Sequence, residues 1–401
     1  MLQIELIALY AFAFVIPLFE APKNLLWVIY AVLWIANRAR SRNFGGPWNA
    51  WDTLIVAWIG SGYLAAAFSG LHKSEWLSAF DILRYGSVLW MLKRSGYIAT
   101  NLNRLLIFIV AGTTAALFRG GYELWIDKAH LHLGLNSVGH VNHSAIYVAI
   151  AFVVVLAWLR ATWKIAAPSI RLVGIVVTAL LSFALFVMES RAAVGAAFLA
   201  ALAFLLVYSA HSGKDIKTLI VVAGIATGVI FLAKPVVVQK NEALLKDHRF
   251  LSHRDGIWRA GIEAWREYPF WGVGMGNYGL INRPLVEKWS RERGVQIATE
   301  KISFASHGHS LYVNTLSERG AGGFAVLLAV LIAWGWSLAR HVPQPTSPPI
   351  RWAYWGGAFG ALLVAVIVGL VNTTLHHEHA LISMLLLGGW LALRDQAPEP
   401  R

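Results

Sequence analysis

An all-α integral membrane protein, with about twelve transmembrane helices and one large helical loop on a single side, is the fold class the sequence predicts. Three observations predict it. Of 401 residues, 57% are apolar and 14% charged, more apolar surface than a soluble chain of that length can hide. Apolar runs of roughly 18 to 22 residues recur from end to end, each long enough as a helix to cross about 30 Å of hydrocarbon. One stretch, 239–310, breaks the pattern with a concentration of charge. The spans must be helices because hydrocarbon offers the backbone no partners.

Taken in order, the chain opens on Met1-Leu2-Gln3-Ile4-Glu5, which lacks the basic region and cleavage-like tripeptide of a signal peptide, so its first apolar run is expected as a retained span. Spans are expected at 4–20, 24–37, 50–69, 76–92, 103–119, 143–162, 168–189, 191–209, 218–238, 311–339, 353–373 and 376–394. Alternate loops carry the cations: Arg38, Arg40 and Arg42, then Lys93, Arg94 and Arg104, Arg160 and Lys164, Lys214 and Lys217, Arg340 and Arg351. By the positive-inside rule those loops and both termini face the cytoplasm. Three regions follow: spans one to nine over 1–238, a polar cap over 239–310, and three spans with a cytoplasmic tail over 311–401.

The cap is too charged to span, with Lys240 to Arg249, Arg254-Asp255, Arg266-Glu267 and Lys288 to Arg293. Its Trp258, Trp265, Trp271 and Trp289 suggest a structured layer at headgroup level, where indole rings are favoured. His341 to Pro349 reads as an extended cytoplasmic linker. The net charge of +13 does not indicate nucleic acid, because the basic residues sit in short interhelical loops rather than on a folded basic patch. There is no cysteine, so disulfide and thiolate chemistry are excluded.

The chemistry-bearing residues gather on the non-cytoplasmic side. Ser306-His307-Gly308-His309-Ser310 leads into a helix that stays polar through Asn314, Ser317, Glu318, Arg319 and Gly320 before turning apolar at Phe324. Such an entrance is costly unless it faces protein or water. An imidazole there suits proton transfer near neutral pH, or a single structural hydrogen bond at the interface. Arg191 falls at the outer turn between two apolar stretches, where it either snorkels or holds an anion with its planar fork of donors. Arg254 and Arg266 fall on the same side and, with Arg191, are candidates to neutralise a diphosphate, or serve the solubility of a charged cap. Asn142 and Ser144 open another span from that side, as helix caps or as phosphate ligands at a helix start.

Two patterns are set aside. Gly274-Met275-Gly276-Asn277-Tyr278-Gly279 matches a dinucleotide-binding string but follows no strand, and is expected as turn chemistry. His376-His377-Glu378-His379 has near-metal spacing and is expected as a polar helix junction. The chain contains no Asp-x-Asp pair, so no metal and no cofactor are assigned, and arginine would take over the charge on a diphosphate.

At these residues the chain resembles the O-antigen ligases. His309-Ser310 followed by nine residues, Gly320, two residues and Gly323 fits the family pattern. It is accompanied by Ser190-Arg191, by Arg254 four residues before Trp258, and by Pro269-Phe270-Trp271-Gly272-Val273-Gly274, similar to the family's Pro-x-x-Gly-x-Gly. The segment around Asn142 is similar too. The resemblance implies a metal-independent, inverting glycosyltransferase of the GT-C type in the bacterial inner membrane. Its active site would face the periplasm, its donor would be an undecaprenyl-diphosphate-linked O-antigen, and its acceptor lipid A-core. His309 would be the essential histidine, with Arg191 and Arg254 on the diphosphate and Ser310 beside them; Arg266 is a further candidate, near the motif rather than in it. An O-antigen polymerase and a protein O-oligosaccharyltransferase share these features. A polyprenyl-glycan flippase is the alternative from a different class, and would carry its charged groups near the bilayer midplane; here Asp81 and Arg84 are the main ionisable pair within a span.

Overall fold

The computed structural model describes residues 2–212 and 254–396. The expected ninth span, 218–238, and the first part of the cap, 239–253, lie outside the described residues. Among those described the fold is helical, without strands. The helices are α1 (Leu2–Val15), α2 (Glu20–Ser41), α3 (Ala50–Ala67), α4 (Glu75–Lys93), α5 (Ala99–Trp125), α6 (Val141–Thr162), α7 (Pro168–Val187), α8 (Arg191–Ser212), α9 (Arg254–Glu267), α10 (Arg283–Glu292), α11 (Leu311–Arg340), α12 (Pro349–Val368) and α13 (His377–Arg394).

The all-helical class is therefore as expected. The span count is coarser than expected, since six described helices are long and apolar enough to cross a membrane: α5, α6, α7, α8, α11 and α12. The remaining expected spans form as helices at the expected places, but α1 is a shorter apolar helix and α2 ends in Asn37, Arg38 and Arg40. Helix α13 opens on a His-His-Glu-His run and is buried along its length. A helix shielded by its neighbours can carry polar residues that a lipid-facing one cannot.

Burial sorts the helices. Helices α6 and α13 form the interior, walled by α4, α8 and α12. By contrast α7 turns Ile170, Leu172, Val173, Ile175 and Val176 outward, the pattern of a helix in a hydrocarbon solvent rather than in water. One end of the bundle is pinned by Asp52, buried and bonded to Lys93 Nζ at 3.0 Å and Arg94 Nε at 2.7 Å. Arg94 also donates to the carbonyls of Phe44, Gly46 and Pro47, so its charge is spent on structure. At the opposite end the first turns of α2, α4, α6, α8, α11 and α13 surround the mouth described below.

Above that mouth, α9, α10 and their connections share a small core of Ile257, Ala260, Val273, Tyr278, Val286 and Trp289. Trp289 is 2% exposed, a correction to the expected interfacial indole: amphipathic α10 turns it into the cap core instead. The glycine string behaves as turn chemistry, with left-handed backbone at Gly272, Gly274 and Gly276.

Candidate active site at the mouth of the bundle

The site is built around a broken helix. Within α11, Gly320 adopts φ 60°, ψ −166°, which interrupts the ladder and frees the backbone groups on either side. The loop after α9 takes them up. Val273 and Gly274 donate to the carbonyls of Ser317 and Glu318 at 2.9 and 3.0 Å, while Ala321 and Gly322 donate to those of Pro269 and Phe270 at 2.7 and 3.3 Å. A β-carbon at Gly272 would lie 2.5 Å from Glu318's carbonyl carbon, and one at Gly320 would collide with Phe270's carbonyl. The Pro-x-x-Gly-x-Gly segment and the glycine of the histidine pattern are thus two halves of one joint.

The polar entrance to α11 holds the histidine loop. Asn314 accepts the Gly308 amide at 2.8 Å and donates to Glu318 at 2.9 Å, one turn on. Glu318 in turn accepts the Tyr278 amide at 3.3 Å, and the Tyr278 hydroxyl donates to the Ile257 carbonyl at 2.6 Å. These bonds tie the loop to both the cap and the membrane helix. They hold His309 in a left-handed conformation, φ 44°, which costs a branched-out residue about 1–2 kcal/mol and persists only where surroundings impose it.

Helix α9 explains the spacing of Arg254 and Trp258. Four residues apart, they lie on one face; the Trp258 indole donates to the His309 carbonyl at 3.4 Å, and Arg254 extends the same face. Arg254 acts on His309 electrostatically, and Arg191, exposed at the first turn of α8, acts on Arg254. Burial and then the Arg191 charge lower the Arg254 guanidinium's affinity for its proton. For His309 the causes are burial first, then His307, Arg254 and His140, which together push its imidazole down to about 4. Burial and His140 also lower His307. His309 Nδ1 is buried without a hydrogen-bond partner, so its bonding capacity is unused by the protein.

The other sequence candidates fare differently. Arg266 sits twelve residues along α9 from Arg254, roughly 18 Å away, and its guanidinium binds Glu263 at 2.6 Å; it belongs to an ion-pair group with Arg293 on the cap. Ser310 caps α11, accepting the Val313 amide and donating to the Gly369 carbonyl. Ser144 is fully buried, its hydroxyl taken by the Leu135 amide at 3.0 Å. Neither Asn142 nor Ser144 caps α6: the cap is His140, whose ring accepts the Asn142 amide. Asn142 lies half-buried in the first turn, beside the mouth. Asp81 and Arg84 pair at 2.7 Å.

What sequence reading set aside is here part of the same surface. The His143 ring stacks on His379, 5.2 Å between centres, with a 3.0 Å nitrogen-to-nitrogen hydrogen bond. His143 also lies 6.0 Å from His307 and 5.6 Å from His377. Among the described residues no three imidazole or carboxylate groups converge as metal ligands.

At the mouth of this all-helical bundle an imidazole nitrogen without a hydrogen-bond partner thus lies within electrostatic reach of Arg254, and Arg254 within that of Arg191. The model of the O-antigen ligase family matches residues 176–328, a stretch that takes in Arg191, Arg254, the jointed loop and the whole histidine pattern. No curated protein matches the chain.

The pH dependence follows from the direction of the shifts. An imidazole whose proton affinity is lowered stays neutral further into acid, so any activity that needs neutral His309 should hold as pH falls through 6.5 and decline only toward about 4. A decline centred at 6.5 or above would contradict the burial described here. Stability should move the opposite way. Below 6.5 the unfolded chain takes up protons that folded His307 and His309 refuse, so the melting temperature should drop between pH 7 and 5.

Proposed function

We propose that this protein is an O-antigen ligase that transfers polysaccharide from undecaprenyl diphosphate to lipid A-core on the periplasmic face of the bacterial inner membrane, with inversion and without a metal. The observation that carries the reading is the packing of α9 on the histidine loop, Trp258 bonding the His309 carbonyl at 3.4 Å, which brings Arg254 and, through it, Arg191 within electrostatic reach of His309. The family match supports a glycan donor and acceptor held at a membrane.

The acceptor hydroxyl gives its proton to the His309 imidazole as its oxygen attacks the donor's anomeric carbon. The bond from that carbon to the diphosphate breaks on the opposite face, and its electron pair leaves with the diphosphate. In-line displacement inverts the anomeric centre. Diphosphate is already a good leaving group, so the protein's work is to align two lipid-anchored substrates and to meet developing negative charge with arginine. A bound diphosphate also offsets Arg254's effect on His309, which raises the imidazole's proton affinity when the donor is present.

The test offers purified protein an undecaprenyl-diphosphate glycan with core-lipid, a second glycan-lipid, or an acceptor peptide, beside His309→Ala. Transfer to core-lipid alone, with inverted configuration, lost in His309→Ala and unchanged by excess chelator, is the expected result. Extension of the glycan-lipid would assign a polymerase, and modification of the peptide an oligosaccharyltransferase.

A further inference from the structure

We propose that His307 carries the proton from His309 to solvent, with His143 and His379 closing the inward route, so that the Ser-His-Gly-His loop contains a two-imidazole relay. This rests on His309 being the base.

The His307 and His309 rings are 4.1 Å apart, centre to centre, near enough for transfer between ring nitrogens after a small rotation. On its far side His307 Nδ1 lies 3.1 Å from the exposed Ser306 hydroxyl, which leads to water. The inner side is shut by tautomer. His379 Nδ1 accepts the His376 amide at 3.4 Å, so neutral His379 carries its proton on Nε2 and donates it to His143 Nδ1. His143 is then fixed with its own proton on Nε2. It can donate a hydrogen bond toward the cluster but has no free nitrogen on which to receive a proton.

The remaining charged and titratable neighbours favour the outward route. Arg254 acts on His309 from α9, His140 on both loop imidazoles from the α6 cap, and His376 lies within electrostatic reach of His307 from the start of α13. Each disfavours a lingering positive charge on the loop. The imidazolium formed on His309 therefore passes its proton to His307, which releases it past Ser306. The glycan has moved, the diphosphate has left with its electron pair, and one proton has reached solvent.

The experiment measures core-lipid transfer by His307→Gln and His307→Ala in weak and concentrated buffer, with and without added imidazole, beside His309→Ala. Expected is a fall in kcat of about 10- to 100-fold, an unchanged KM for the donor, and partial recovery with imidazole in His307→Ala. His307→Gln, close in size and still able to bond Ser306, is the variant that decides if His307→Ala fails to fold. Wild-type kcat in His307→Gln, or a slow His307→Ala that imidazole does not restore, overturns the relay; in the first case the proton leaves with the diphosphate. Full activity in His309→Ala would instead remove the base on which the relay depends.

Discussion

Replacing Arg191 and Arg254 together by alanine should abolish measurable glycan transfer, and each single replacement should slow it by about 10²- to 10³-fold, the usual effect of removing one preorganised partner of developing charge. The two guanidinium groups come from different elements, the first turn of α8 and the cap helix α9, and are close enough for one to lower the proton affinity of the other. Like charges held together are costly until an anion lies between them. Arg191 also starts a helix, whose dipole favours the same anion. Arg254→Lys should fall between alanine and wild type, because an ammonium keeps the charge but not the planar fork. Transfer assays and melting curves on the same preparations check this. Normal ligation by a folded double variant would show that the diphosphate is held elsewhere.

A methyl group at Gly320 should cost folded protein rather than chemistry alone. Its backbone is left-handed and its missing β-carbon would occupy the position of Phe270's carbonyl, so neither side can yield without breaking the bonds between 269–274 and 317–322. Strain and overpacking of this kind cost on the order of 2–4 kcal/mol. Gly320→Ala should lower the melting temperature markedly and remove activity. Gly322→Ala, where the nearest atom to an added methyl is the same carbonyl oxygen but at 3.3 Å, should be clearly milder. Equal melting temperatures for the two variants would mean that the joint contributes little.

Much of this architecture was legible in the sequence because its signals are local. Apolar runs placed the helices within a few residues, and a charged, Trp-rich interval marked the cap. The histidine and arginines stood out because such side chains at helix mouths are costly without a purpose. What sequence could not show depends on partners far apart in the chain. Ser144 is a plausible ligand until Leu135 is seen to occupy it, and Arg266 until Glu263 is. The His143–His379 pair joins positions 236 residues apart, so a run resembling a simple helix junction gave no local hint of its place beside His307. Asn314 and Glu318 were visible as expensive polar residues, and their spacing of four was the available clue that they act as one strut.

The interlocked backbone at Gly320 also bears on how this fold can be re-engineered. Because the cap is fastened to a membrane helix by main-chain bonds in both directions, a cap exchanged from a relative with different acceptor preference will seat only if residues 317–322 travel with 269–274. The natural module for transplantation is therefore discontinuous in the chain, and a graft cut at the visible edge of the polar segment would sever its hinge pin.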